Sequence, residues 1–269
     1  MTPPPGSRTW NGRGGPEPFY TDPFRIDTPA GIPDNPLMSN RVTNDPGMSS
    51  ESAAAVRTFF DHTSGRFDHF YDTPRSPVEK LVDAVFHKVL VTRFEATLDF
   101  LGPFEGTSVL DVGTGPGRYL EAFARRGCTS MVGLDFSQPM LDLARRRLEA
   151  VGFADRARLV CADFEKFAAG QERFDSVLAI GYLEYQVDPV ATLRRMAELS
   201  RGKVVVSLPR RWTLLNRVRV VRYKLSHCPL RFFGEKDLDA MERALAPGWE
   251  PALRLNLGRD HLLGFRKKS

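Results

Sequence analysis

The sequence predicts an α/β fold, a seven-stranded sheet that is mostly parallel with an antiparallel C-terminal strand and carries helices on both faces. Three observations predict it. Five apolar runs alternate with helical segments from residue 109 onward; the first run turns through three alternate glycines into a helix; and two final runs are separated only by Gly258-Arg259-Asp260, a hairpin-like spacer.

The first strand and its turn read Val109-Leu110-Asp111-Val112-Gly113-Thr114-Gly115-Pro116-Gly117. Glycine tolerates φ > 0 and lets the backbone approach a ligand with no Cβ in the way. A helix from Gly117 through Gly127 leaves backbone N–H groups exposed at its start, where a carboxylate or phosphate is favoured. The second strand, Met131-Val132-Gly133-Leu134, ends at Asp135, about twenty residues after the first glycine, the place of a ribose-binding carboxylate in a βαβ unit. Turn and acid together point to a nucleoside-type ligand with a charged end.

The third strand is expected over Leu159-Val160-Cys161-Ala162-Asp163-Phe164, ending in Asp163. The fourth, Phe174 to Ile180, opens into Gly181-Tyr182-Leu183-Glu184-Tyr185-Gln186-Val187-Asp188-Pro189, where Asp188 suits an N-cap and Pro189 the first helical position. The fifth is Lys203-Val204-Val205-Val206-Ser207-Leu208, and the last two are Ala252 to Leu257 and His261 to Arg266. A NAD(P)-dependent dehydrogenase shares the glycine turn and the downstream acid, but it continues in parallel βα units. The antiparallel ending argues against it.

Over roughly residues 55 to 268 the chain resembles the class I S-adenosylmethionine-dependent methyltransferases, whose sheet is Rossmann-like. The resemblance rests on Asp111 to Gly117, on Gly133-Leu134-Asp135-Phe136-Ser137 followed by Met140-Leu141, on Asp163-Phe164, and on the segment after the fourth strand. It implies S-adenosylmethionine as cofactor and S-adenosylhomocysteine as product. By the same resemblance Asp111, Gly113, Thr114, Gly115 and Gly117 lie at the methionine portion, Asp135 holds the ribose hydroxyls and Phe136 lies beside the adenine. Asp163 accepts from the adenine amino group, and Phe164 and Ile180 complete the wall. A carboxylate accepts two hydroxyl donors well.

Residues 1 to about 50 are dominated by Pro, Gly, Asn and Ser without helical or strand period, as a disordered tail would be, and they lack the apolar core of a secretory signal. Residues 51 to 104 hold Phe59 to Asp72, dense in aromatic and polar groups, and then a long packing helix from Leu81 to Leu101 in which His87 is structural. The resemblance implies an N-terminal lid for the first part, excluding water and positioning the methyl acceptor. Phe59, Phe60, Phe67 and Phe70 suit docking against the sheet, whereas His62, His69 and Tyr71 are left for the substrate side. Residues 105 to 269 form the cofactor-binding core.

No apolar run reaches membrane-spanning length, so a soluble cytoplasmic protein is expected. The three cysteines, Cys128, Cys161 and Cys228, are widely spaced; Cys161 reads as a small buried strand residue, and an odd total argues against a disulfide scaffold. The five histidines form no metal-ligand spacing, so no metal is expected.

Between Arg201 and Gly234 stand nine Arg or Lys residues, Arg201, Lys203, Arg210, Arg211, Arg217, Arg219, Arg222, Lys224 and Arg231, and no Asp or Glu. Leu214, Val218, Val221 and Leu225 recur at helical spacing, so Arg211 to Leu225 suits a basic amphipathic helix within an insert near 210–233. Three readings stay open. The helix presents a solvated face; Arg217 and Arg222 clamp an anionic small-molecule substrate; or the segment meets nucleic acid or an anionic membrane surface. Against nucleic acid, the loop after the fourth strand has neither the Asn/Asp-Pro-Pro-aromatic pattern of amino-methylating DNA enzymes nor a Pro-Cys pair, and no appended recognition module is present.

The expected reaction is in-line displacement, a substrate oxygen, nitrogen or carbanion taking the sulfonium methyl group. Alignment contributes roughly 7–11 kcal/mol, and a general base adds about 10²–10⁴-fold. Base candidates are His62, His69, Tyr182, Glu184 and Tyr185, which belong to the lid or to the fourth-strand loop. A small-molecule O-methyltransferase is the first reading; an RNA methyltransferase and a cofactor-binding regulatory subunit are the alternatives. In the RNA reading, arginine-to-glutamate changes at Arg217 and Arg222 abolish RNA retention in a gel-shift assay; unchanged retention removes that reading.

Overall fold

A computed structural model of the chain describes residues 77–211 and 230–269, with side chains from Lys88 onward. Helix α1 (Pro77–Leu101) leads into strands β1 (Ser108–Val112), β2 (Ser130–Asp135), β3 (Ala157–Cys161), β4 (Phe174–Ala179), β5 (Ser200–Pro209), β6 (Trp249–Asn256) and β7 (Asp260–Lys267). Between them run helices α2 (Arg118–Arg125), α3 (Gln138–Ala150), α4 (Pro189–Leu199) and α5 (Glu235–Leu245). The strands form one seven-stranded sheet in the order β3-β2-β1-β4-β5-β7-β6. Strands β1 to β5 are mutually parallel and β7 is antiparallel to both of its neighbours. The α/β sheet expected from the sequence is present. Its last two strands are not simply appended in order, because β7 passes between β5 and β6 and leaves β6 at the rim.

The pleat sorts the side chains to two faces. Leu110, Val132, Val177, Val204 and Phe265 stand in register across five strands and join one apolar core. Leu193 and Met196 of α4 and Leu238 and Met241 of α5 close that core. The next register row, containing Asp111, Gly133, Leu178, Val205 and Gly264, turns to the opposite face. There a Cβ on Gly133 would meet Leu120 of α2 at 2.6 Å, and one on Gly264 would meet the Phe100 ring of α1 and Leu253 Cβ at 2.8 Å. Helices therefore cover both faces.

Helix α1 ends against β5. The Lys203 ammonium donates to the carbonyls of Leu101 (3.1 Å) and Gly102, supplying the C-terminal cation that the last turn of α1 lacks. Burial, and then the nearby Arg266, lower the Lys203 pKa. At the start of α4 the expected cap is observed: Asp188 accepts from the backbone N–H groups of Val190 and Ala191, both at 3.0 Å, with Pro189 as first helical residue.

Two expectations need correction. Strand β3 stops at Cys161, so Asp163 lies beyond its end and caps the short 3₁₀ turn Phe164–Lys166, accepting from Glu165 N–H at 3.2 Å. Cys161 is exposed rather than buried, because β3 is the rim strand and its residues are half-buried or exposed throughout. Cys128, in contrast, is buried. The expected tail over 1–50, the segment carrying Phe59 to Asp72, Cys228 and the basic helix to Leu225 apart from Arg211 lie outside the described residues, as does the side chain of His87. Among the described residues no helix is long and apolar enough to cross a membrane.

Glycine to alanine inside a strand ordinarily gains roughly 0.5–1 kcal/mol. At Gly264 the added methyl meets an aromatic ring and a neighbouring Cβ, so Gly264→Ala should instead cost about 1–3 kcal/mol, read as a lowered midpoint in urea unfolding.

Candidate functional site

Strand order reverses at β1, which has β2 on one side and β4 on the other, and ligands of open α/β sheets bind outside the carboxyl ends of the strands at such a point. The glycine turn emerges there. Gly113, Gly115 and Gly117 have φ of 72°, 53° and 74°, a left-handed conformation that other residues adopt at a cost. The N–H groups of Gly113 and Thr114 donate to Leu134 O at 2.8 and 2.9 Å, tying the turn to the end of β2.

The three glycines differ in what surrounds them. A Cβ on Gly113 would strike the Tyr182 side chain at 2.7 Å, and one on Gly117 would strike Ala144 of α3 at 2.8 Å, so both allow close packing of protein on protein. A Cβ on Gly115 would meet nothing within 4 Å. Among the three, Gly115 is the one with open space beside it. Arg147 of α3 braces the turn from behind, donating through Nε to Pro116 O at 3.0 Å and pairing with Glu121 at 3.1 Å.

Two acids flank the turn. Asp135, 8% exposed, accepts from Gly115 N–H through Oδ2 and from Ser137 N–H through Oδ1, both at 2.9 Å, so the plane of its carboxylate is fixed. Asp111, 2% exposed, accepts from the Thr114 hydroxyl at 2.8 Å. Burial pushes the Asp111 carboxyl up to about 7, the Thr114 hydrogen bond opposes this, and the negative Asp135 adds to it.

The wall on the β4 side comes from the next loop. Gly181 N–H donates to the Ser207 hydroxyl of β5 at 2.9 Å, which fixes the departure of the loop. Tyr182 then lies over Gly113 and meets the Phe164 ring edge-on at 6.5 Å between centroids. Burial, followed by Asp163 and Glu165, holds the Tyr182 phenol well above its ordinary pKa. It stays protonated, which suits a wall and not a base. Phe164 is fully buried and carries Tyr182 from below, while Asp163 is exposed at the rim and Phe136 and Ile180 are half-buried. Glu184 and Tyr185 are buried in the 3₁₀ turn Leu183–Tyr185. The Glu184 carbonyl accepts from Arg231 N–H at 2.9 Å.

Of the residues picked out from the sequence, Asp111, Gly113, Thr114, Gly115, Gly117, Asp135, Phe136, Asp163, Phe164, Ile180, Tyr182 and Tyr185 belong to strand ends and loops at this one edge. His62, His69, Tyr71, Arg217 and Arg222 lie outside the described residues. Within the basic segment, Arg201 pairs with Asp175 (3.8 Å), Arg211 pairs with Asp237 (3.7 Å) and Arg210 donates to Asn256 (3.1 Å). Together with Lys203, which holds the end of α1, these cations already serve the fold. Sequence reasoning missed Arg147 and Ser207, whose partners are far away in the chain. It also missed Arg93, which shares the surroundings of Tyr119 with Asp111. Among the described residues no group of His, Cys, Asp and Glu could hold a metal ion.

A parallel sheet with this reversal, an acid-flanked glycine turn and an antiparallel β7 defines a nucleoside-binding α/β protein. Residues 109–202 match the family described as a methyltransferase domain. It is 31% identical to a ubiquinone biosynthesis O-methyltransferase of Alkalilimnicola ehrlichii over 158 residues, 56% of this chain and 60% of that one. Over 110 residues it is 36% identical to the enzyme of that name from Cereibacter sphaeroides, covering 41% and 43% of the two chains. The chain thus spans three fifths or less of the length of these curated relatives. Among solved structures, magnesium protoporphyrin IX methyltransferase from Synechocystis with bound S-adenosylhomocysteine shares the fold, with a TM-score of 0.63 at 16% identity over 80% of this chain and all of that one.

The raised pKa of Asp111 has a definite sign in stability. An unfolded carboxyl loses its proton near 3.8 and the folded one near 7, so the stability that protonation gives is complete below about 4 and lost as pH rises to about 7. Asp111→Asn, neutral throughout, should therefore gain stability relative to the original protein between pH 5 and pH 8, measured as the difference in urea midpoints.

Proposed function

We propose that the chain transfers a methyl group from S-adenosylmethionine to a small-molecule acceptor, an oxygen in the first instance. The observation that carries the cofactor assignment is the pair of buried acids flanking Gly115, the one glycine of the turn with open space beside it. The cofactor supplies an electrophilic methyl group on a sulfonium. Asp111 is the partner for its ammonium, Asp135 for its ribose hydroxyls, Asp163 for the adenine amino group, with Phe136, Ile180 and Tyr182 as walls. The oxygen assignment is supported by the names of the curated relatives.

The chain's own contribution is alignment and exclusion of water, worth roughly 7–11 kcal/mol when two reactants are held in line. An acceptor hydroxyl needs a base as well. His69 and His62 are the candidates that a neutral imidazole favours, while Tyr182, kept protonated by burial, serves as a wall. The RNA reading loses support from Arg201, Lys203, Arg210 and Arg211, which have partners within the fold.

Calorimetric titration tests the cofactor site. S-adenosylhomocysteine should bind the original protein, NADH should not, and Asp135→Ala should abolish binding; undiminished affinity in Asp135→Ala overturns the assignment. His69→Ala should bind the cofactor product normally and turn over about 10²–10⁴-fold more slowly with a phenolic acceptor.

A further inference from the structure

The acid at the head of β7 has no part in the reaction as described so far. Asp260 is 4% exposed and pairs with Pro209, the last residue of β5. Since β7 runs against β5, its first residue stands at the edge where β1 and β2 end, the edge of Asp111 and Asp135. Asp260 accepts from Arg93 Nη1 at 2.9 Å across 167 residues of chain. Arg93 lies eight residues before Leu101, whose carbonyl Lys203 holds at the opposite edge. Eight residues of helix rise about 12 Å, which carries Arg93 up to the site.

Its surroundings there are those of the glycine turn. Tyr119, the second residue of α2, has its hydroxyl acted on by Arg93, by Thr97 and by Asp111 together, and its ring lies 4.9 Å from that of Phe94. The Phe94–Tyr119 contact thus brings this turn of α1 against the start of α2, the helix that the glycine turn opens. Asp260 engages one nitrogen of the guanidinium, and the Nε of Arg93 is buried without a hydrogen-bond partner. The side chain as a whole keeps 18% of its surface exposed, so its remaining donors are within reach of a ligand. The methionine end of the cofactor carries both charges of an amino acid. Asp111 answers the ammonium, and a carboxylate beside it needs a cation with donors to give.

We infer that Asp260 is a positioning residue for the cofactor's amino-acid end, holding the Arg93 guanidinium beside Asp111 so that Arg93 receives the carboxylate. The inference rests on the proposed cofactor. Asp260 touches no ligand itself. A carboxylate at 2.9 Å on one side and the Tyr119 hydroxyl on another fix where the guanidinium lies, and the part of the side chain still exposed is what a ligand would meet. Without Asp260 the arginine keeps its charge and loses its orientation.

The test compares two ligands that differ only at that end, S-adenosylhomocysteine and methylthioadenosine, which has the nucleoside and thioether but no amino acid. Asp260→Asn should weaken S-adenosylhomocysteine about tenfold and leave methylthioadenosine unchanged, the size expected for a misplaced hydrogen bond to a charged group. Asp260→Glu should restore part of the loss. Arg93→Gln should show the same ligand-selective loss, and adding Asp260→Asn to it should cost no further affinity. Equal weakening of both ligands in Asp260→Asn, or no weakening of either, overturns the inference by showing a strut that serves the fold alone. Failure of the original protein to bind either ligand overturns the proposed cofactor and this inference with it.

Discussion

The site hangs on one hydrogen bond, from the backbone N–H of Gly115 to the carboxylate of Asp135. It joins the turn that follows β1 to the end of β2, and with the Gly113 and Thr114 bonds to Leu134 it makes two neighbouring strand ends one rigid unit. Everything else is arranged around that unit. The second oxygen of Asp135 fixes Ser137 at the head of α3, Arg147 of α3 returns to hold Pro116, and Thr114 holds Asp111. Loss of the bond would release the glycine turn and the entries to two helices together.

Such a unit concentrates negative charge where the protein is least able to solvate it. Asp111 and Asp135 are both buried, and the charge of Asp135 adds to the burial that makes Asp111 hard to ionise. A fold selected for stability alone would place apolar residues or amides here. The cationic parts of a ligand can offset this charge at the moment of binding, which is how stability given up in the empty protein becomes affinity. The described part of the basic segment is used differently, its charges being matched by Asp175, Asp237 and backbone carbonyls.

The glycine turn, the acid that ends β2 and the start of α4 were legible in the sequence because their determinants are local. Glycines at 113, 115 and 117 and an acid at a strand end are read within a few residues, and Asp188-Pro189 specifies its own helix start. The register of β3 was not legible, since Ala162-Asp163-Phe164 continues an apolar pattern that the Asp163 cap interrupts. Nor was the exposure of Cys161, which depends on β3 having no outer neighbour. The contacts of Arg93 with Asp260 and of Gly181 with Ser207 join residues 167 and 26 apart. Their sequence neighbourhoods are those of an ordinary helix and an ordinary strand.

The passage of β7 between β5 and β6 also bears on how the chain is made. As the ribosome delivers the polypeptide, β5 and β6 both emerge before the strand that pairs with them. Until β7 arrives, β6 has no place in the sheet and β5 presents an open, strongly apolar edge, Val204-Val205-Val206-Ser207-Leu208, of the kind that recruits other strands. The sheet is therefore completed only after synthesis has passed residue 267, when β7 joins the open edge of β5 and brings β6 with it as the new rim. A nascent chain stalled between β6 and β7 would keep that edge open to pairing with other chains.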